Sequence, residues 1–98
     1  GFLVAVPVAI EAARKLADNV SLEQIDQFPT VEFFKTVPLL TLVHFGHWDE
    51  ILAEPQPRAD LGYCNAIWRY ARGVAYANKG DIKAAVLAVH GAADPIVG

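Results

Sequence analysis

The stretch HFGHWDE, residues 44–50, holds the densest group of side chains in this chain that could do chemistry. His44 and His47 stand three apart with Asp49 and Glu50 directly behind, and imidazole with carboxylate is a zinc vocabulary. Gly46 interrupts a helix between the two histidines, so the shared face that a spacing of three would give is lost. A metal-dependent enzyme or enzyme accessory segment built on His44, His47 and Glu50 is therefore the alternative reading of the chain. No metal, no other cofactor and no catalysis are expected, because the packing roles described below account for each of these residues without an ion.

The remaining candidates are weaker. Ser21 is the lone serine and already has a role as a helix cap. Cys64 has His44, His47 and His90 as conceivable partners, but a cysteine on a buried helix face behaves as an inert small hydrophobe. Gly73 and Gly80 lie in and after a helix rather than between strand and helix, so they form no phosphate loop. Arg69 and Arg72, with Trp68 and Tyr70, could stack on bases. An acidic chain without a basic stripe argues against nucleic acid, and Arg72 is expected to reach an acidic group on a neighbouring helix with its stem packed on Trp68.

These side chains need a scaffold, and composition bounds it. The chain has 98 residues, a net charge of −3 and 54% hydrophobic residues. That length allows one domain or a piece of a larger one. So short a chain buries a small share of its surface, so part of the apolar surplus is expected to be covered by neighbouring repeats or a second copy. The opening GFLVAVPVAI has no basic leader, contains Pro7 and flows into charged EAARKLADN. It reads as buried helix rather than a signal peptide, and it is far below the roughly 20 apolar residues that span a bilayer. One cysteine excludes an intrachain disulfide and suits a cytoplasmic location, with the periplasm open to a processed fragment. The absence of methionine and the start at Gly1 read as a fragment or processed chain.

Periodicity gives helices almost throughout and no strand. Residues 3–19 carry Ala, Leu and Val at helical spacing, with Glu11 placed to pair with Arg14 and Lys15. SLEQ at 21–24 matches a capping box and predicts a short helix ending near Phe28. TVEFFKTVPLLTLVHF is strongly apolar, and Pro38 means its helix starts near Thr36 or bends there. Gly46 breaks it, HWDEILAE makes a short helix stopped by Pro55 and Pro57, and Asp60 reads as the cap of a long helix running to 79. Gly80 ends that helix in the left-handed conformation, and Asp81 caps a last helix to about 93.

Gly46 and Gly80 stand 34 residues apart, and their surroundings correspond. GHWDEIL aligns with GDIKAAV, setting Trp48 over Ile82, Ile51 over Ala85 and Leu52 over Val86. Upstream, Leu42 lies over Tyr76, Leu40 over Val74 and Leu39 over Gly73. Glycine at 46 and 80 permits a tight reversal, small residues at 73 and 85 let paired helices approach, and aromatics at 48 and 76 fill the wedge between them. Trp48 and Tyr76 are both expected to be largely buried.

This spacing of Gly46, Trp48, Gly73, Tyr76, Gly80 and Ala85 resembles the tetratricopeptide repeat family, whose unit is a helix–turn–helix of 34 residues. FGHWDEILAEPQP followed by AIWRYARGVAYA also resembles bacterial proteins of this class. The resemblance covers roughly 32–93 and has departures. Trp68 falls one place early, Arg72 stands where a small apolar residue is usual, and Leu39 stands where glycine is usual. It implies an all-α superhelix of five to six helices in a single domain. Residues 1–19 would be part of a preceding unit, 20–31 an irregular insertion, 32–65 the first unit and 66–98 the second.

The resemblance further implies a non-catalytic scaffold that binds a protein or peptide on its first-helix face. Ile67, Tyr70, Val74, Ala77 and Asn78 would form that face in the last unit, with Thr36, Leu40 and Val43 in the preceding one. The face is apolar and lacks the Lys/Asn carboxylate clamp of some family members. The implied ligand is a hydrophobic helix or extended segment, or neighbouring repeats of the same polypeptide. No nucleic-acid or membrane partner is expected. An isolated chain with so apolar a first helix should form a homodimer.

Overall fold

The computed structural model describes residues 2–27 and 29–90. It is helical, with no strand among the described residues. The elements are α1 (Phe2–Asp18), α2 (Leu22–Gln27), a 3-10 segment (Pro29–Thr36), α3 (Val37–Phe45), α4 (Trp48–Ala53), α5 (Gly62–Asn78) and α6 (Ile82–His90). The last expected helix extends to about 93, and residues 91–93 lie outside the described residues. The molecule is a slab of 39 × 37 × 17 Å, thin enough for only about two layers of helix.

Local chemistry sets the ends of these elements. The capping box at 21–24 forms as the residue types require. Gln24 N donates to Ser21 Oγ at 3.1 Å and Ser21 N donates to Gln24 Oε1 at 2.8 Å. Pro38 stands in the first turn of α3, where its missing N–H costs nothing. Thr36 occupies the cap position, but its hydroxyl donates to the Phe33 carbonyl at 2.7 Å rather than capping the helix. At the start of α5 the expectation fails. Leu61, not Asp60, is the cap residue, and Asp60 accepts from Arg58 Nε at 2.6 Å. The capping acceptor arrives from outside the helix, since Glu32 Oε1 takes the Cys64 N–H at 2.8 Å.

The two turns are copies of each other at the level of single hydrogen bonds. Gly46 has φ +71° and Gly80 has φ +85°, both left-handed. At the first turn His47 N donates to Leu42 O and Gly46 N to Val43 O. At the second, Asp81 N donates to Tyr76 O and Gly80 N to Ala77 O. Each is the paired 6→1 and 5→2 pattern that closes a helix C-terminus. The following helices differ at their caps. Asp81 Oδ1 accepts from Ala84 N at 3.0 Å, whereas His47 makes no side-chain cap.

Packing centres on α5, which lies against α6, α4, α3 and the 3-10 segment, while α1 lies against α3. Leu42, Ile51, Ala71 and Ala75 are fully buried, with Ile10, Leu39, Val43, Trp48 and Leu52 around them. Burying a side chain such as Leu42 or Ile51 contributes about 2 kcal/mol. A smaller cluster of Ile25, Leu61 and Cys64 joins α2 to the start of α5. Trp48 and Tyr76 are half-buried rather than largely buried. The Trp48 indole leans back against Gly46 at the N-terminal end of α4.

The shortness of α4 explains the residue that departs most from the repeat pattern. Pro55 stops the helix early, leaving last-turn carbonyls without helical partners. α5 supplies donors instead. Arg72 Nη1 donates to Leu52 O at 3.1 Å and Trp68 Nε1 to Glu54 O at 3.0 Å. Arg72 is 0% exposed, and its guanidinium lies over the Trp68 ring at 4.8 Å and the Tyr76 ring at 5.5 Å. Its Nη2 also donates to the Tyr76 hydroxyl at 3.1 Å. The long side chain fills the space that another turn of α4 would occupy.

Candidate functional site

The first cluster to locate is that of the histidines. His47 Nδ1 lies 2.9 Å from Glu50 Oε1, the two residues bracketing the first turn of α4. His44 is exposed and meets the edge of Phe45, with ring centroids 4.9 Å apart. Asp49 pairs with Lys79 at the end of α5. Among the described residues no three His, Cys, Asp or Glu side chains converge as metal ligands.

Cys64 is buried at the base of a cleft of about 420 Å³. Arg14, Lys35, Leu39, Pro57, Leu61 and Trp68 contribute to its walls. The thiol donates to the Glu32 carbonyl at 3.8 Å. Burial, with the Glu32 charge beside it, pushes the thiol pKa up to about 11. A thiol so held is protonated at neutral pH and is no nucleophile. Two of the cleft's cations, Arg14 and Arg58, are engaged in ion pairs. Arg14 pairs with Glu54 at 2.5 Å, and Arg58 bridges Asp26 and Asp60. Among the described residues no buried side-chain nitrogen or oxygen lacks a hydrogen-bond partner.

The open face of α5 is different in kind. Tyr63, Ile67, Tyr70, Val74 and Ala77 recur at alternating spacings of four and three, which line one side of a helix. Tyr70 is 49% exposed, Tyr63 is nearly as open, Ile67 and Val74 are half-buried, and Ala77 and Asn78 are exposed. Asn78 Nδ2 donates to Val74 O at 2.9 Å, so its amide is tied to its own helix. Phe33 stacks on Tyr63 with centroids 6.3 Å apart, and Phe34 meets Phe33 edge to face at 5.7 Å. The result is an aromatic cluster of Phe34, Phe33 and Tyr63 that joins the 3-10 segment to the start of α5.

The other half of the anticipated face does not open in the same way. Thr36 is only 3% exposed, and Leu40 and Val43 are half-buried, with Val43 packed on the central cluster. The cause is position in the slab, since α3 is flanked by α1 on one side and α5 on the other. Tyr63, Phe33 and Phe34 join the surface without having been anticipated from the sequence. Tyr63 could have been found by running the α5 period back two turns from Tyr70. Phe33 could not, because its stack joins two elements about 30 residues apart in sequence.

Such a surface offers aromatic rings, a methyl-rich helix stripe and few charges. It suits apolar docking and holds no convergent acid, base or nucleophile. Compared with known proteins, the chain matches no family model, no curated protein and no solved structure.

Proposed function

We propose that this chain is a non-catalytic helical-repeat module of the tetratricopeptide kind, which binds another protein or a peptide on the open face of α5. The observation that carries the reading is the run Tyr63, Ile67, Tyr70 and Val74 beside Phe33, exposed or half-buried along one helix side. Exposed tyrosines are residues that dominate interface energetics when desolvated, because they bring large area at small entropic cost. The repeat reading draws support from the two turns, 34 residues apart, with the same hydrogen bonds. The ligand is a hydrophobic helix or extended segment that lays apolar side chains across the rings.

Peptides selected from a random displayed library on the immobilised protein provide the test. Their affinity should fall at least about tenfold in Tyr70→Ala, the loss of one aromatic contact. It should be unchanged in Lys83→Ala on α6. Equal affinity for Tyr70→Ala and the parent, across every selected peptide, would overturn the assignment. Zinc titration by calorimetry addresses the enzyme reading: His47 is engaged with Glu50, so no micromolar binding is expected.

A further inference from the structure

The cleft over Cys64 is a concave site that the aromatic face of α5 does not use. α1, α2, the 3-10 segment, α3, the α4–α5 connection and the start of α5 all contribute to its walls. Its volume of about 420 Å³ falls in the range of small-molecule pockets. Pro38, Pro55 and Pro57 stand in those walls, and their ring-locked φ holds the walls in one shape before any ligand arrives. Leu39, Leu61 and Trp68 give the interior an apolar lining.

Charge within the cleft is uneven. Arg14 is matched by Glu54, and Arg58 by Asp26 and Asp60. Lys35 is half-buried, yet it makes no hydrogen bond and no ion pair with any described residue. Its ammonium lies near enough to the base for its charge to act on the Cys64 thiol. Glu32 acts on the same thiol from outside the lining, with Oε1 bound to the Cys64 N–H and no ion pair to Lys35. Asp18 is unmatched too, but it stands exposed at the C-terminal end of α1, where water solvates it.

We propose that this cleft binds a small organic acid, a monocarboxylate whose apolar body lies on Leu39, Leu61 and Trp68 and whose carboxylate pairs with the Lys35 ammonium. A neutral apolar molecule leaves that ammonium without a partner, and an amine is repelled by it. A dicarboxylate or a phosphate brings a second negative charge into the cleft, where Arg14 and Arg58 are already taken and nothing remains to match it. The half-enclosed position favours the pair, because an ion pair away from bulk water is screened less than one on open surface.

Octanoate is the probe, and octanamide is its uncharged match. Titrated into isotope-labelled protein, octanoate should shift the amides of Leu39, Leu61 and Cys64. It should saturate with a dissociation constant on the order of 0.1–1 mM, as suits a ligand of about ten non-hydrogen atoms. Octanamide should bind at least about tenfold more weakly, the loss of one charge-assisted contact. Lys35→Met, which keeps the stem and removes the charge, should bring octanoate down to the octanamide level. Lys35→Arg should keep the preference, and Lys83→Met on α6 should leave it untouched. Unmoved amides of Ala71 and Ala75 in the central cluster report that Lys35→Met folds as the parent does; should it not fold, the parent's preference for octanoate over octanamide decides alone. No saturable shift with about 10 mM octanoate, equal affinity for the two probes, or affinity unchanged in Lys35→Met would each overturn the proposal. So would shifts centred on Phe33, Tyr63 and Tyr70, which place the acid on the aromatic face instead. Peptide binding to α5 is read at those other residues, so the two assignments fail independently.

Discussion

The α3–α4 pair and the α5–α6 pair turn through the same hydrogen bonds, yet they bury different things. In the first pair the wedge is aliphatic, with Leu42 and Ile51 fully buried and α4 cut to six residues by Pro55. In the second pair Tyr76 stands in place of Leu42 and Ala85 in place of Ile51. Gly73 lets α6 approach so closely that a β-carbon there would meet Val89 Cγ2 at 2.5 Å. A turn is therefore a local matter settled by a left-handed glycine. The contents of the wedge depend on how long the second helix runs and on what lies beyond it. Arg72 and Trp68 are the consequence, since both are placed where a longer α4 would have been.

The largest effect that would sharpen this contrast comes from the two tryptophans. Trp68 is 2% exposed and donates to the end of α4, so Trp68→Ala should cost about 3–5 kcal/mol in chemical denaturation. Trp48, half-buried over the shorter helix, should cost only about 1–2 kcal/mol. Equal costs would break the contrast between the buried and the half-buried indole. Arg72→Ala comes next, at about 2–3 kcal/mol, since it strands the Leu52 carbonyl and the Tyr76 hydroxyl. Arg72→Lys should recover less than half of that, because an ammonium cannot fork between the two acceptors.

Turn substitutions test the likeness rather than the difference. Gly46→Ala and Gly80→Ala should each cost about 1 kcal/mol from left-handed strain. They should agree within about 0.5 kcal/mol, because neither new β-carbon meets backbone. The caps should differ: Asp81→Ala should lose about 1 kcal/mol and His47→Ala far less. The Gly73 contact is smaller in net effect. Gly73→Ala gains about 1 kcal/mol of helix propensity and loses a similar amount against Val89, so alone it should be near neutral. In a Val89→Ala background the same change should stabilise by about 1 kcal/mol, which a double-mutant cycle in thermal melts would read.

The smallest effect at neutral pH belongs to Cys64, in the other cluster. Its thiol pKa is raised on folding, so the folded chain keeps a proton that the unfolded chain releases. This contribution is fully present below the ordinary thiol pKa and is lost as pH climbs toward about 11. Iodoacetamide at pH 8 should leave the native thiol unmodified and label it promptly in 8 M urea. Rapid native labelling would contradict the protonated, buried assignment.

What the sequence made legible was local. The SLEQ box, the left-handed glycines and the Asp81 cap each depend on residues within four positions, and all three stand as their types require. Features joining distant segments were not legible. Asp60 satisfied every local rule for a cap, yet Glu32 reaches across the fold to do the work. Trp48 carried the right type for a filled wedge, but its indole leans back on the Gly46 turn and stays half-buried. On the candidate surface, Ile67, Tyr70 and Val74 came from the alignment to the repeat pattern, and their helical spacing puts them on one side of α5. Phe33 did not, because its partner Tyr63 lies on another element. Thr36 failed for the same reason, being covered by packing that no local spacing reveals.

The most direct test of the proposed role is a residue-by-residue map of contact in solution. A library-selected apolar peptide titrated into isotope-labelled protein should shift the amide resonances of Tyr63, Ile67, Tyr70 and Val74 and the ring resonances of Phe33. Those of Ile82 and Val86 on α6 should stay in place. Shifts centred on α6, or no saturable shift on α5 at millimolar peptide, would contradict it.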